Sequence, residues 1–299
     1  MSAGKFEVVE LFKDVGGPRL GVVHMPISMW AFSVNTDNVR HLTRYAGKIS
    51  IRTLILPPYL PNGLAPSFVD IETAKAAGLN KKSPYVKLLK HIANSSSLVL
   101  ISMNVIEKSR LSLYISNIIV DGELGTCRFF SRKMLLSPAE LAVGAKPGNK
   151  LDLVTDYYLN YTALLGEEIL APELARLTTL MGAEVVLLSS GTNISENKLT
   201  DIVSSLQIFT GGTVIHIGSI LLDKSNVIAK NPTIIATPDE SVLEYSDVKK
   251  SIILIPLKVL KAAEKRNTRC IELRSIIANL SKFLRHLHTL DTTRKPSQV

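Results

Sequence analysis

Short apolar runs alternate with amphipathic stretches along most of the chain. The runs that have the length of buried strands are Leu20–Met25, Thr53–Leu56, Leu98–Met103, Tyr161–Leu165, Glu184–Leu188, Thr213–Ile217, Thr233–Ala236 and Ser251–Leu254. Apolar residues recur at helical spacing in Asn35–Ala46, Tyr85–Ala93, Pro172–Met181, Lys198–Phe209 and Leu257–Lys265. Strands that alternate with helices in this way predict an α/β sheet covered by helices.

A predicted hairpin indicates that the sheet is mixed and not purely parallel. Leu111–Val120 and Thr126–Phe130 flank the dipeptide Asp121-Gly122, which is a strong hairpin signal. We predict a loop for Lys133–Glu140, which follows, and a further strand for Leu151–Thr155. No linker or low-complexity segment interrupts the pattern, so the main part of the chain is expected to form one domain.

The composition excludes several classes of protein. With 46% hydrophobic and 20% charged residues in a chain of 299, a disordered protein is excluded. No apolar run reaches the roughly 18 residues that cross a membrane, and the N-terminal residues lack the apolar core of a secretory signal. Cys127 and Cys270 stand in no metal-ligand spacing. We therefore expect a cytoplasmic protein without cofactor or metal and without membrane contact.

The net charge of +9 is concentrated at the C-terminal end of the chain. From Lys258 onward there are ten Lys or Arg residues and three Asp or Glu, a net +7. Residues 267–291 have apolar residues at helical spacing, which predicts an amphipathic helix, and residues 292–299 form a polar tail expected to be flexible. This helix either packs on its own domain or dimer mate, or binds another protein or a nucleic acid. The candidate partner-binding residues are Arg269, Arg274, Lys282 and Arg285.

The segment Ala171–Ser190 resembles a signature of the carbon–nitrogen hydrolase (nitrilase) superfamily. In that family a similar Pro-Glu-Leu-Ala-Arg helix and Gly-Ala strand follow the nucleophile turn. Further similarities occur in the family's order at Leu20–Met25, Asn38, Leu54–Gly63, Val120–Lys133, Pro147-Gly148 and Gly218–Ser246. The resemblance implies a four-layer α-β-β-α sandwich over residues 19–266, preceded by a lead-in at 1–18.

The resemblance also implies where a Glu–Lys–Cys catalytic triad would lie. Lys133 stands at the position of the family's Lys, and Glu140 matches a second glutamate that the family often keeps. The strand that should end Pro-Glu ends Pro57-Pro58, so Pro58 replaces the general base. Six positions before Pro172, where the nucleophilic Cys is expected, the residue is Gly166, and Glu168 keeps the acidic residue two positions later.

Other residues could in principle replace the missing groups. Cys127 lies on the strand before Lys133 and does not fit the nucleophile turn, so an inert buried thiol is the favoured interpretation. Glu167 could act as a base or nucleophile, but a solvated or salt-bridged carboxylate is favoured. Lys133 itself is expected to form a structural ion pair with Glu140.

Losing both base and nucleophile argues against amide or nitrile hydrolysis, because removing one member of a catalytic unit already costs orders of magnitude in rate. The sequence therefore favours a non-catalytic, nitrilase-like scaffold that binds a protein or ribonucleoprotein partner. Two alternatives stay open: an amidase with a rearranged site using Lys133 and Glu140 or Glu168, and an inactive subunit that regulates an active homologue. A homodimer or heteromer is expected through the apolar side of Pro172–Met181, formed by Leu174, Leu177, Thr178 and Met181.

Overall fold

A computed structural model describes residues 6–12, 16–49, 51–156, 158–190, 195–239 and 241–260. All of them lie in one compact unit, Met1–Lys261. Within these residues the strands form sheets of seven, six and three strands. No helix among the described residues combines the length and apolar character needed to cross a membrane.

The seven-stranded sheet is mixed, as the hairpin signal predicts. In spatial order its strands are β1 (Glu7–Glu10), β16 (Ser251–Pro256), β2 (Arg19–His24), β4 (Ile51–Leu56), β5 (Val99–Ser109), β6 (Ser112–Asp121) and β7 (Thr126–Phe130). The centre β2–β4–β5 is parallel, β6 pairs antiparallel with β5, and β7 pairs antiparallel with β6 through the predicted hairpin. The central strands are buried on both faces, which explains their nearly continuous apolar sequences.

The six-stranded sheet has a parallel centre with antiparallel strands on both sides. In spatial order its strands are β15 (Val242–Tyr245), β14 (Thr233–Ala236), β11 (Thr213–His216), β10 (Val185–Ser189), β9 (Asn160–Leu165) and β8 (Val154–Thr155). A third sheet joins β13 (Asn226–Asn231), β12 (Ser219–Asp223) and β3 (Pro26–Ser28).

Among the described residues there are seven α-helices, not all of which lie on the outer faces of the two large sheets. They are α1 (Phe32–Ala46), α2 (Ile71–Ala77), α3 (Pro84–Ser96), α4 (Pro138–Ala142), α5 (Pro172–Leu180), α6 (Glu196–Thr210) and α7 (Leu257–Leu260), with 3₁₀ helices at Pro66–Phe68 and Gly166–Leu170. Helices α3, α4 and α5 begin with proline, whose missing N–H costs nothing at that position.

Three apolar clusters define four layers. The first joins the facing sides of the two large sheets, for example Ile101 with Leu187. The second lies between the seven-stranded sheet and α1 and α3, and the third between the six-stranded sheet and α5 and α6. The predicted α-β-β-α sandwich with two central sheets is therefore confirmed.

Several local predictions need correction. The predicted loop Lys133–Glu140 ends in α4, because Ser137 and Glu140 cap a short helix reciprocally. Of the strand predicted at Leu151–Thr155, only Val154–Thr155 is paired. The lead-in at 1–18 contains β1, a strand that its short and partly polar sequence does not reveal.

The asparagine that anchors the first helix is not Asn38. That helix begins at Phe32, and Asn35 in its first turn is buried. The Asn35 amide accepts from Ser28 N (3.0 Å) and donates to Ser28 O and Pro61 O (both 2.8 Å). Asn38 accepts a hydrogen bond from Lys250 Nζ (2.7 Å). The buried apolar spacing starts only at Val39, and the apolar residues of the first turn, Phe32 and Val34, are exposed, so the spacing does not reveal where the helix begins.

The predicted C-terminal helix (267–291) and tail (292–299) lie outside the described residues. The candidate partner-binding residues Arg269, Arg274, Lys282 and Arg285 lie there too, and so does Cys270. These assignments stay predictions.

Candidate functional site

The positions that the resemblance singles out lie where strands of the two large sheets end. Pro58 follows β4, Lys133 follows β7 and Gly166 follows β9. The Lys133 segment is fixed by backbone bonds, since Lys133 N donates to Ile115 O (2.8 Å) and Lys133 O accepts from Gly148 N (2.8 Å). These bonds fix the backbone from which the Lys133 side chain extends.

The Lys133 ammonium is buried and paired with two carboxylates. Only 2% of its side chain is exposed. Lys133 Nζ donates to Glu140 Oε2 (2.6 Å) and also to Glu167. The same Glu140 oxygen accepts from Ser137 N (2.7 Å), so this carboxylate serves the helix cap and the ion pair together. The ion pair between Lys133 and Glu140 expected from the sequence is present, and Glu167, whose side chain is 44% exposed, joins it.

Gly166 leaves room that Lys133 occupies. The glycine has φ +56°, a left-handed conformation that residues with a Cβ rarely adopt. A Cβ at this position would lie 2.3 Å from Lys133 Nζ and 3.0 Å from Lys133 Cε. The ammonium therefore lies where the first atom of a side chain at residue 166 would be.

Glu168 connects the two segments of the site. Its carboxylate accepts from Met134 N (2.6 Å) and from Leu165 N (2.8 Å), so it joins the Lys133 loop to the end of β9. Burial raises the pKa of Glu168, and the hydrogen bonds from these backbone N–H groups and the charge of Lys133 oppose that rise. With both oxygens accepting from the backbone, Glu168 has a structural role in this geometry.

Tyr59 borders the site and was not identified from the sequence. It follows the buried Pro58 at the end of β4, and its backbone N donates to Met103 O (3.3 Å). Desolvation raises the pKa of Tyr59 to about 12, a hydrogen bond with Asn104 opposes this, and the charges of Glu140 and Glu167 raise it further. The one sequence signal for Tyr59 was its position just after the end of a predicted strand. Nothing else in the composition of that segment distinguishes Tyr59.

Cys127 lies on β7 and is not part of the Lys133 cluster. Its half-buried side chain packs against the core between the seven-stranded sheet and its helices. Burial raises the pKa of the thiol, while Lys90 and Lys81 lower it more weakly. A thiol with a raised pKa is a poorer nucleophile at neutral pH, and the inert role of Cys127 stays a prediction.

The chemistry available at the site is limited. Proline at 58 offers no exchangeable proton and glycine at 166 offers no nucleophile. The positive charge of Lys133, which could stabilise an oxyanion, is neutralised by two carboxylates. Among the described residues no cluster of three or more His, Cys, Asp or Glu side chains could hold a metal.

Comparison with solved structures identifies the architecture. The amidase NitN from Nesterenkonia sp. AN1 aligns with a TM-score of 0.69 at 16% identity, over 90% of this chain and 100% of the amidase. Nit3 of Saccharomyces cerevisiae, a member of branch 10 of the nitrilase superfamily, aligns with a TM-score of 0.69 at 18% identity, over 81% of this chain and 91% of Nit3. The chain has the nitrilase-superfamily fold.

The likeness is structural and leaves the activity open. In another structure the Nesterenkonia amidase, there a mutant, carries acrylamide added to its active-site cysteine (TM-score 0.66, 16% identity, 80% of this chain and 92% of that one). No family profile and no curated protein matches this sequence. Such low identities establish the nitrilase-like fold and nothing about substrates.

The contact between Gly166 and Lys133 can be tested by adding one methyl group. Gly166→Ala is expected to lower the free energy of unfolding by about 2–4 kcal/mol, since it combines a left-handed alanine with displacement of the buried ammonium. Gly125→Ala is the matched control: Gly125 has φ +63° and no atom within 4 Å of a Cβ. That variant should lose only the cost of placing an alanine in the left-handed conformation, about 1 kcal/mol. Urea unfolding of both variants measures the difference, and equal losses would contradict the contact.

Proposed function

We propose that this chain is a catalytically inactive nitrilase-like protein that acts as a binding or scaffold subunit for a protein or ribonucleoprotein partner. One observation carries the proposal: at the expected nucleophile position stands a glycine, and the ammonium of Lys133 takes the space of its missing side chain. A side chain at that position would have to displace a buried, doubly paired cation. A fold does not depend on one particular chemistry, so a scaffold can persist after its catalytic residues are lost.

A rearranged amidase is the second candidate, and Glu167 is the observation in its favour. Its partly exposed carboxylate bonds Lys133, so a lysine and an accessible acid lie together. To act as base or nucleophile, Glu167 would have to leave that ion pair. Glu140 and Glu168, the other acids considered, are buried and already accept backbone hydrogen bonds.

The outer layer formed by α5 and α6 supports assembly with a second subunit. Four large apolar side chains are exposed there or directly before α5, namely Leu170 (58%), Leu177 (38%), Ile208 (63%) and Phe209 (41%). Arg176 lies over the Phe209 ring at 5.5 Å, so the two helices share this surface. Of the apolar side predicted for α5, Leu177 is exposed, Leu174 and Met181 are half-buried and Thr178 is buried. Exposed apolar clusters of this kind are typical of interfaces.

We expect a homodimer through this outer layer, or a heteromer that uses the same surface. Ile208→Asp should convert the dimer to a monomer, because a carboxylate would be buried without a partner in the interface. Light scattering at micromolar concentration measures the mass. Leu124→Asp is the control, since Leu124 is equally exposed (65%) on the turn between β6 and β7. A wild-type monomer, or a dimer unaffected by Ile208→Asp, would contradict this assignment.

The proposed binding role is tested by native purification from source cells, followed by identification of bound protein and nucleic acid. A stoichiometric partner that survives washing, and that Ile208→Asp or a groove variant described below releases, supports the scaffold. Co-purification with an active homologue in fixed ratio would favour the regulatory-subunit alternative. A protein that purifies alone and turns over an amide would contradict the proposal.

A further inference from the structure

A surface groove beside the seven-stranded sheet is lined mainly by cations, six of its ten residues. Its volume is about 500 Å³. It lies where three segments meet: the loop before α3, the end of β5 with the turn that follows it, and the edge strand β7 with Arg132, which follows that strand. We call it the basic groove; its cationic residues are Lys81, Lys82, Lys108, Arg110, Arg128 and Arg132. These residues belong to three segments that are separated in the sequence, so folding brings the charges of the three segments together.

The groove carries a large uncompensated charge. Its lining contains one acid, Glu107, which is buried and bonded by Arg132 Nε (2.9 Å) and Nη2 (2.5 Å). Six cations against this acid leave a local formal charge of +5, although all residues before Lys258 together sum to only +2. Lys81, Lys82 and Arg110 form no ion pair with any described residue. Clustered like charges oppose folding, and a concave surface concentrates their field on a bound anion.

Two of the arginines are held in place and not freely solvated. The Arg132 guanidinium lies 4.1 Å from the Tyr114 ring centroid while it bonds Glu107. Arg128 Nη2 donates to Leu153 O (2.9 Å), at the outer edge of β7. A guanidinium with a fixed plane loses less entropy when it binds a phosphate or stacks on a base.

We propose that the basic groove binds the phosphodiester backbone of a single-stranded nucleic acid. Successive phosphates match a cluster of cations, and Phe129, which packs in part against the core, leaves the rest of its ring in the lining, where a base can stack. Among the described residues of the lining, Phe129 is the one large apolar side chain, so an acidic peptide would lack the apolar anchors on which peptide binding depends. This inference goes beyond the proposed function, because it holds whether or not the Lys133 site is inert.

The test uses the full chain and a fluorescent oligouridine of about ten nucleotides, the size that one surface of this kind binds. Anisotropy titrations at several salt concentrations give the affinity and its salt dependence. Each phosphate neutralised on a single strand contributes about −0.7 to the slope of log K against log salt. Contacts to about four phosphates therefore predict a slope near −3. The DNA oligomer of the same sequence, a duplex and a polyglutamate peptide are titrated in parallel.

A matched pair of charge reversals assigns the binding to the groove. Lys82→Glu/Arg110→Glu changes two exposed groove residues, whereas Lys224→Glu/Lys230→Glu changes two exposed residues of the β12–β13 hairpin. Both variants change the net charge equally and leave residues 261–299 intact. The groove variant is expected to lose about tenfold in affinity or more and to flatten the slope by about 1.4, and the control to change about twofold or less.

The remaining outcomes each overturn the inference. If the wild-type chain does not bind oligouridine at low salt, a single-stranded nucleic acid is not the ligand of the groove. Equal losses in the two variants, or none in either, assign the binding to net charge or to another segment. Tighter binding of polyglutamate or of the duplex makes the ligand class wrong. Thermal unfolding of both variants shows that they are folded, and the result does not depend on turnover or on dimerisation.

Discussion

Replacing Lys133 with methionine is expected to lower the free energy of unfolding by about 3–5 kcal/mol, because the buried Glu140 would lose its counter-ion. Lys133 and Glu140 side chains are 2% and 8% exposed, so water cannot replace the lost partner. Methionine fills a similar volume, which keeps a cavity from confusing the result. Urea unfolding of purified variants at neutral pH measures the change.

Two further variants separate the ion pair from other effects. Glu167→Gln should cost about 1 kcal/mol or less, since that carboxylate is 44% exposed and its pairing is screened. In the double variant Lys133→Met/Glu140→Gln most of the stability should return, because no buried charge is left unpaired and glutamine can still complete the helix cap. If Lys133→Met costs under about 1 kcal/mol, or if the double variant is as unstable as the two single losses summed, the ion pair is not structural.

Acidification from pH 7 to pH 5 is expected to destabilise the protein by up to about 4 kcal/mol through two buried histidines. Burial lowers the pKa of both His24 and His216 from 6.5 to about 4. His216 is bonded as a neutral ring, with Nδ1 2.7 Å from Pro232 O and Nε2 accepting from Ser190 N (3.0 Å). His24 Nδ1 lies 2.9 Å from Thr233 Oγ1.

Acidification destabilises the fold because the unfolded chain binds protons at a higher pH than the folded chain does. The unfolded chain takes up a proton on each histidine near pH 6.5, whereas the folded chain does so only near pH 4. Between these values the unfolded state binds more protons, so stability falls as the pH falls, by about 2 kcal/mol per histidine down to pH 5. The raised pKa of Glu168 acts in the opposite direction and reduces the net loss. Around His24, Asp247 raises the pKa and Lys230 lowers it.

Urea unfolding across this pH range, with two variants, checks the assignment. His24→Gln should show about half of the wild-type loss, since one titrating group remains. His41→Gln should behave as wild type, because His41 is exposed on α1. If the free energy of unfolding does not change from pH 7 to pH 5, or if the two variants have equal effects, the buried histidines do not cause the pH dependence.

How far the sequence predicts this molecule depends on the periodicity of each segment. Strands such as β2, β4 and β10 are continuous apolar runs, and their positions were predicted to within about two residues. Segments without a strong apolar period were missed, among them β1, α2, β3 and α4. They form because of long-range pairing or capping, as with β1 on β16 and with Ser137 and Glu140 in α4.

The resemblance selected the residues of the candidate site, but it could not give their contacts. The ordered resemblance placed Pro58, Lys133, Glu140, Gly166 and Glu168 in one site, and it suggested the ion pair of Lys133. It could not show that the ammonium lies in the space beside Gly166, nor that Glu168 joins two segments through backbone bonds. The basic groove was invisible for the same reason, because its cations come from three separated segments and appear close only in the folded chain.

The central claim is tested most directly by measuring turnover of simple aliphatic amides and nitriles, as ammonia released by the purified full-length chain. We predict no release above that of the buffer, because positions 58 and 166 supply neither base nor nucleophile. Release that is lost in the folded variant Lys133→Met/Glu140→Gln would contradict this prediction. It would mean that Lys133 and its carboxylates form a working active site.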